Sequence, residues 1–369
     1  MLTVKTQNLI TSTVTAFVAA SSLSASAIAG TIRHDRSDAL YTNFANQNQF
    51  ASVGRLETGF SIGGRFVGGG CSGTLISANW VLTAAHCFED PLGNNQMLRS
   101  GSFTLGGRSY SINLGLQNGG WASSNRNLVA GADIGLFRLN SSVSNINPAT
   151  LYSGTNEDLQ VGSYVGFGNT GNGISGANTT SFGTKRAGQN TIGLGSRLGY
   201  SNGLLVSDFD DPRSVDPSQP LTRPLNLEYQ LAPGDSGGAL FIGGLLAGVN
   251  SFITSQNNQR LADYGDVSAT TRVSSQYNWI RNAISGLAGT GVLNSLPRTS
   301  SNFGPTTLAQ VILDESEVLG DLSQPLEIVQ DTWDNSEAVP EPTTVVGGLL
   351  SLGGFILARR RQKLAQKQA

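Results

Sequence analysis

Charge is scarce in this sequence. Of its 369 residues only 13% are charged, two are cysteines and two are histidines. Residues 30–288 hold 16 basic and 16 acidic side chains, so this long middle stretch is neutral. Phosphate binding needs clustered Lys and Arg, and their absence excludes nucleic acid as an expected partner. Two cysteines, Cys71 and Cys87, admit one disulfide at most, and two histidines leave few candidates for a general base. No internal repeat is visible, although a duplicated barrel need not show one.

Glycine is plentiful instead, with 47 residues, in a polar-neutral style that suits turn-rich β structure. At ~150 residues per domain the length allows one large or two modest domains. The net charge of −2 conceals a segregation. Residues 1–29 carry only Lys5, residues 289–338 set eight acids against Arg298, and residues 339–369 set five basic residues against Glu341. Four segments with different tasks are expected.

The first, 1–29, reads as a signal peptide. Lys5 precedes an apolar, Thr-rich stretch from Leu9 to Ala20, and Ala25-Ser26-Ala27 and Ala27-Ile28-Ala29 both fit a small-x-small cleavage site. The mature chain would then begin near Ile28 or Gly30, in an exported location served by a signal peptidase. At the other end, Val339-Pro340-Glu341-Pro342 precedes an uncharged run, Thr343–Ala358, and then Arg359-Arg360-Arg361 and Lys363. Sixteen helical residues span ~24 Å, slightly short of a ~30 Å hydrocarbon core, and the arginines would stop transfer on the cytoplasmic side. This order of parts in 339–369 resembles the PEP-CTERM sorting signal of bacterial exported proteins. The resemblance implies a short transmembrane helix, processing near Pro340–Pro342 by an exosortase-type enzyme, and at least transient membrane anchoring at the cell envelope. Residues 289–338 mix acids with Val311, Ile312, Leu319 and Ile328, which leaves a stalk or a docking segment open.

In 30–288, short apolar runs such as Thr74–Ile76, Trp80–Thr83, Ile134–Leu139, Ser163–Phe167 and Ala239–Val249 alternate with Gly/Asn turns such as Gly106-Gly107 and Asn172-Gly173. That pattern favours an all-β sandwich or barrel. One helix is expected from the spacing of Ser275, Tyr277, Trp279, Ile280 and Ile284.

His86 ends the apolar run Trp80–Ala85, directly before Cys87. A bridge between Cys71 and Cys87 would close a loop worth roughly 3 kcal/mol and fix the backbone beside this histidine. Two reduced, buried cysteines are the alternative. Ser236 lies in Gly234-Asp235-Ser236-Gly237-Gly238, where glycines let backbone N–H groups converge on a hydroxyl. A serine needs an imidazole base, and the imidazole needs a carboxylate to fix its tautomer. Asp133, at the head of Ile134–Leu139, supplies one. No histidine follows Ser236, which excludes the α/β-hydrolase order, and Asp35 or Asp38 ahead of His86 lies in no apolar strand. The order His86, Asp133, Ser236 remains.

Cys71-Ser72-Gly73-Thr74-Leu75-Ile76, Thr83–Cys87, Asp133–Leu139, Gly166-Phe167-Gly168-Asn169-Thr170, Gly234–Gly238 and Arg272-Val273-Ser274 followed by Trp279-Ile280 resemble, in order, the landmarks of trypsin-like serine proteases. The resemblance covers most of residues 45–288. It implies two antiparallel six-stranded β-barrels with a C-terminal helix (chymotrypsin-like), to which the sorting signal would add an apolar C-terminal helix. It implies a serine endopeptidase acting on protein or peptide substrates through an acyl-enzyme, without a cofactor. Catalysis would rest on His86, Asp133 and Ser236, with Gly234 and Ser236 N–H groups as the oxyanion hole. Asp235 would pair with a freed N-terminal amine. Gln230 would floor the primary specificity pocket and Ser251, Phe252 and Ile253 would line it. Gln230 in place of a carboxylate implies no preference for Lys or Arg, and Ile253 implies a narrowed entrance suited to small apolar side chains.

The sequence departs from the resemblance in having no Ile-Val-Gly-Gly ahead of Cys71, and Phe50–Leu56 reads as the first barrel strand. Arg33-His34-Asp35-Arg36 is expected to be a solvated arm, and Asp208, Asp210, Asp211 and Asp216 a solvated turn, so no metal is assigned. Two other functions fit the same residues: an inactive protease-like binding module at the envelope, and an esterase with the same triad.

Overall fold

The computed structural model describes residues 30–295, except 63, 92–97, 179–180, 215–222, 256–259 and 287–290, with backbone alone for 291–295. The expected signal peptide, the sorting signal with its apolar helix, most of the acidic segment, and Asp216 lie outside the described residues. Among the described residues no helix is long and apolar enough to cross a membrane.

The chain starts with a three-residue strand, β1 (Gly30–Ile32), and a short helix, α1 (Asp38–Ala45). Six strands follow: β2 (Val53–Ile62), β3 (Arg65–Ser77), β4 (Trp80–Thr83), β5 (Leu98–Leu105), β6 (Arg108–Asn118) and, after the short helix α2 (Gly119–Ser123), β7 (Gly135–Leu139). They pair antiparallel in the order β2-β3-β4-β7-β6-β5, and β5 returns to β2, which closes a barrel. Closure leaves no free edge and turns one side of every strand inward. Leu56, Phe60, Leu75, Val81, Phe103 and Phe137 share the inward face and are wholly buried, and Leu82 and Leu136 are buried on the opposite face.

The second half holds β8 (Val161–Gly166), β9 (Thr170–Asn172), β10 (Gly176–Asn178), β11 (Arg186–Thr191), β12 (Gly193–Leu194), β13 (Leu204–Asp208), β14 (Tyr229–Gln230), β15 (Ala239–Ile242), β16 (Leu245–Thr254) and β17 (Val267–Arg272). Its main sheet runs β11-β8-β15-β16-β17-β13-β12 and does not close. The expectation of two six-stranded barrels is therefore corrected to one closed barrel and one half-barrel. The cause lies at the two edges that would have met. β12 takes the outer edge of β13, and the outer edge of β11 is met by the chain before β14, through Gln189 N–H to Leu227 O at 2.6 Å. The Asn190 side chain bridges what remains, donating to Asp208 O and Tyr229 O.

Helix α3 (Val273–Ile284) is where the apolar spacing put it. Its Val273, Ile280 and Ala283 join one buried cluster with residues of both halves, among them Leu75, Val81, Val165, Phe241 and Val249. The two halves thus share an apolar seam. A last strand, β18 (Gly291–Ser295), pairs antiparallel with β6, so the acidic segment begins as an added strand on the barrel.

The N-terminal arm is docked, which corrects the solvated-arm expectation. β1 lies between β9, parallel, and β14, antiparallel, in a small sheet of order β10-β9-β1-β14. Arg33 forms an ion pair with Asp35 and donates to Leu225 O at 2.7 Å. His34 meets the Tyr264 hydroxyl through both its N–H (3.0 Å) and Nδ1 (2.8 Å). The Asp208 region also differs from a solvated turn: Asp210 is buried with its N–H on Glu228 Oε1 at 3.1 Å, while Asp211 pairs with Arg213.

Candidate active site

β4 runs from the barrel into a single 3₁₀ turn, Ala85–Phe88, and that turn carries His86. The disulfide between Cys71 and Cys87 ties the turn to β3. Gln117 Nε2 donates to Ala85 O at 2.9 Å and holds it from the β6 side. The barrel thereby delivers His86 on a braced backbone.

Asp133 sits just before β7 and is wholly buried. Its Oδ1 accepts the backbone N–H of His86 at 2.9 Å, and its Oδ2 lies 2.7 Å from His86 Nδ1. Ser251, in β16 of the second half, donates its hydroxyl to the same Oδ2 at 2.5 Å, and Thr271 Oγ1 donates to Asp133 O at 2.8 Å. Burial by itself would push this carboxyl up, but the charge of His86 and the hydrogen bonds from His86 and Ser251 hold it below its ordinary value. An ionised Asp133 draws the imidazole proton to Nδ1 and leaves the lone pair on Nε2.

Ser236 lies in the loop between β14 and β15, with Gly234 (φ +93°) and Gly237 (φ +77°) in the left-handed region on either side. Only glycine adopts such angles without strain. The loop is pinned to the barrel by Ser72, the residue after Cys71. Ser72 N–H donates to Ser236 O at 2.8 Å, its hydroxyl donates to Gly234 O at 3.0 Å, and Phe167 N–H donates to that hydroxyl at 2.9 Å. A Cβ on Gly237 would fall 2.0 Å from Thr83 Oγ1, three residues ahead of His86, so the serine loop is wedged against the strand that delivers the histidine. Among the described residues neither the Gly234 nor the Ser236 N–H is used by an acceptor.

Asp235 points inward and is wholly buried. Gly168 N–H (2.9 Å), Ala232 N–H (3.0 Å) and the Tyr229 hydroxyl (3.2 Å) donate to its carboxylate. Burial pushes it up to about 7, and none of the ion pairs among the described residues involves it. Gly30, the first residue of β1, lies beside this pocket: a Cβ there would fall 2.0 Å from Tyr229 Cζ and from its hydroxyl oxygen.

Of the expected pocket residues, Gln230 is buried and its Oε1 accepts the Ser268 hydroxyl at 2.6 Å. Ser268 stands opposite Ile253 across β16 and β17, so Gln230, Ser268 and Ile253 converge on one place. Gln230 Nε2 is buried without a partner. Phe252 stacks edge-on against Tyr200 and is buried with Ile253. Ser251 faces Asp133. Sequence reasoning had it line the pocket and missed its bond to the carboxylate, as it missed Ser72, Thr271, Tyr229 and Ser268. Each acts through a partner at least 6 positions away, mostly far more, and no local signal marks it.

A protein-family model described as Trypsin matches residues 47–280. The chain belongs to the trypsin family. Curated relatives include trypsin alpha of Drosophila melanogaster, 30% identical over 189 residues that make up 49% of this chain and 67% of the relative. Trypsin delta of Drosophila erecta is 29% identical over 49% of this chain and 68% of its own. Solved structures similar to it include HL collagenase (TM-score 0.46, 20% identity, 70% of this chain and 98% of that one). Another is mouse neuropsin, a serine protease expressed in the limbic system of the brain (TM-score 0.43, 21% identity, 62% and 93%). As a trypsin-family protein it is a serine-type endopeptidase, a hydrolase whose substrates are proteins or peptides.

Proposed function

We propose that the peptidase works through His86, Asp133 and Ser236 and is exported, with a primary pocket for small apolar side chains. The observation that carries the triad is the doubly bonded His86–Asp133 pair, with Oδ2 2.7 Å from Nδ1. Ser236 Oγ attacks the substrate carbonyl and passes its proton to His86 Nε2. The oxyanion that forms is met by the Gly234 and Ser236 N–H groups, a contribution of ~2.7–4 kcal/mol for each donor. His86 then protonates the departing amine, and water, deprotonated by the same imidazole, releases the acyl group as acid.

The pocket reading rests on the Gln230–Ser268 hydrogen bond and on Ile253 opposite Ser268, which leave no carboxylate for a basic side chain and little depth. Export rests on the sequence of residues 1–29. The sorting-signal reading of 339–369 adds an exosortase-type processing step and membrane attachment before it. Activation rests on Gly30: cleavage after Ala27-Ile28-Ala29 would free its amine beside Asp235, with β1 held between β9 and β14. A signal peptidase would then serve as the activating enzyme.

The triad is tested by a fluorophosphonate probe. Wild-type protein should be labelled and should cleave protein substrates in preference to simple esters, and Ser236→Ala should lose both. Labelling that survives the substitution overturns the assignment of Ser236, and ester hydrolysis without proteolysis overturns the choice of substrate. Profiling on a peptide library should give cuts after Ala, Val or similar residues; efficient cutting after Arg would remove the pocket reading.

A further inference from the structure

Phe182 belongs neither to the triad nor to the primary pocket, yet its ring lies against the loop that would hold the oxyanion. A Cβ on Gly234 would fall 2.6 Å from Phe182 Cδ2 and 2.9 Å from Gly168 Cα. A Cβ on Gly70 in β3 would fall 2.7 Å from Phe182 Cζ, so the ring also touches the barrel. The ring therefore fills the space between the barrel strand that carries Cys71 and the glycine whose N–H faces the reaction.

The segment that carries the ring is tied down. Ser181 N–H donates to Asn169 Oδ1 at 3.1 Å, Thr170 N–H donates to Ser181 Oγ at 2.8 Å, and Gly183 N–H donates to Phe167 O at 2.8 Å. The segment it is tied to also braces the serine loop. Asn169 N–H donates to Pro233 O at 2.7 Å, and Gly168 N–H donates to Asp235 Oδ1. Pro233 O and the Gly234 N–H share one peptide plane. Its carbonyl end is therefore held by Asn169, while its glycine end rests against the ring.

Gly234 has no side chain to anchor it, and glycine is the residue freest to rotate. A hydrogen-bond donor stabilises a developing oxyanion only when its orientation is set beforehand. We propose that Phe182 is a positioning residue for the oxyanion hole, an aromatic wedge that holds the Gly234 N–H in its donating orientation. The proposal rests on Gly234 being an oxyanion donor, as proposed above.

The test compares Phe182→Ala with Phe182→Tyr and Phe182→Leu in the full protein. In Phe182→Ala, kcat should fall by about 10- to 100-fold with KM within about threefold, the signature of an interaction made in the transition state. Affinity for a peptide aldehyde, whose hemiacetal oxygen uses the same donors, should fall by the same factor. The Kd of the amine-side product peptide should stay within about threefold, because it brings no carboxylate or carbonyl oxygen of the cleaved bond to these donors. Phe182→Tyr, which keeps the ring, should match wild type, and Phe182→Leu should lie between; if the alanine variant does not fold, the leucine variant carries the comparison. A kcat and aldehyde affinity within about threefold of wild type overturn the proposal, as does a loss confined to KM, which would make the ring a substrate contact. A wild-type protein that fails to react with fluorophosphonate sinks the reading of the site itself, whereas wild-type labelling with indifferent Phe182 variants sinks the wedge alone.

Discussion

At the scale of single residues, two buried carboxylates a hundred positions apart meet opposite fates. Asp133 is held ionised by His86, Ser251 and the histidine's own backbone N–H, so burial does not neutralise it. Asp235 is held by donors that carry no charge, and burial pushes it up to about 7. In a chain that retains its leader, the folded form therefore keeps the Asp235 proton to near pH 7, while the unfolded chain releases it near the ordinary aspartate value of 3.8. More protons bound in the folded state means that stability falls as pH rises from about 4 to about 7, by about 1.4 kcal/mol for each pH step of one, and then levels. Once an ammonium stands beside Asp235 the carboxylate stays charged and the decline disappears. Urea midpoints at pH 5 and pH 8 should therefore differ in a leader-retaining form and converge after cleavage or in Asp235→Asn. Equal slopes in all three would remove Asp235 as the titrating group.

At the scale of elements, the strands that bury one face were legible in the sequence. The runs Trp80–Thr83 and Ile134–Leu139 hold β4 and β7, Ala239–Val249 holds β15 and the first half of β16, and the spaced residues from Ser275 to Ile284 lie in α3. The His86–Asp133 pairing was legible too, because the base and carboxylate of the proposed triad each sit in a recognisable local setting, as does Ser236 between its glycines. What stayed hidden was whatever depends on pairing at a distance. β1 has three residues, too few to show any alternation, and the failure of the half-barrel to close is decided by Asn190 and by the chain before β14. Gly30 puts the docking of β1 within reach of experiment. Its φ of +64° belongs to glycine, and its missing side chain makes room for the Tyr229 ring. Gly30→Ala should cost about 1–3 kcal/mol of stability from strain and overpacking, and should lower activity together with it. Melting temperature and peptide hydrolysis read the two effects. An alanine variant that matches wild type in both would mean that β1 does not occupy this slot.

At the scale of the molecule, the site exists only where the closed barrel and the half-barrel meet. The barrel supplies His86 and Asp133, and the half-barrel supplies Ser236 and the Ser251 hydroxyl that completes the surroundings of Asp133. A shared apolar seam presses the halves together, but its contacts are not directional and do not by themselves fix the attachment of the serine loop to the barrel. Ser72 does that. One residue of β3 binds the carbonyls of Ser236 and Gly234 and receives the N–H of Phe167, so a single hydroxyl joins the barrel to two segments of the other half. Ser72→Ala leaves the Gly234 carbonyl and the Phe167 N–H without that partner in a buried place, at a cost of about 1–3 kcal/mol for each group. The backbone bond from Ser72 N–H to Ser236 O survives the substitution, so the halves should stay docked. The expected variant is folded, less stable to urea by about 2–6 kcal/mol, and slower in kcat with KM little changed, because the loop loses its aim and the pocket keeps its shape. Urea titration and steady-state kinetics on one preparation separate these effects. A variant that loses stability at full kcat would make Ser72 a brace of the fold alone, with the loop aimed from the half-barrel side by Asn250 and Asn169.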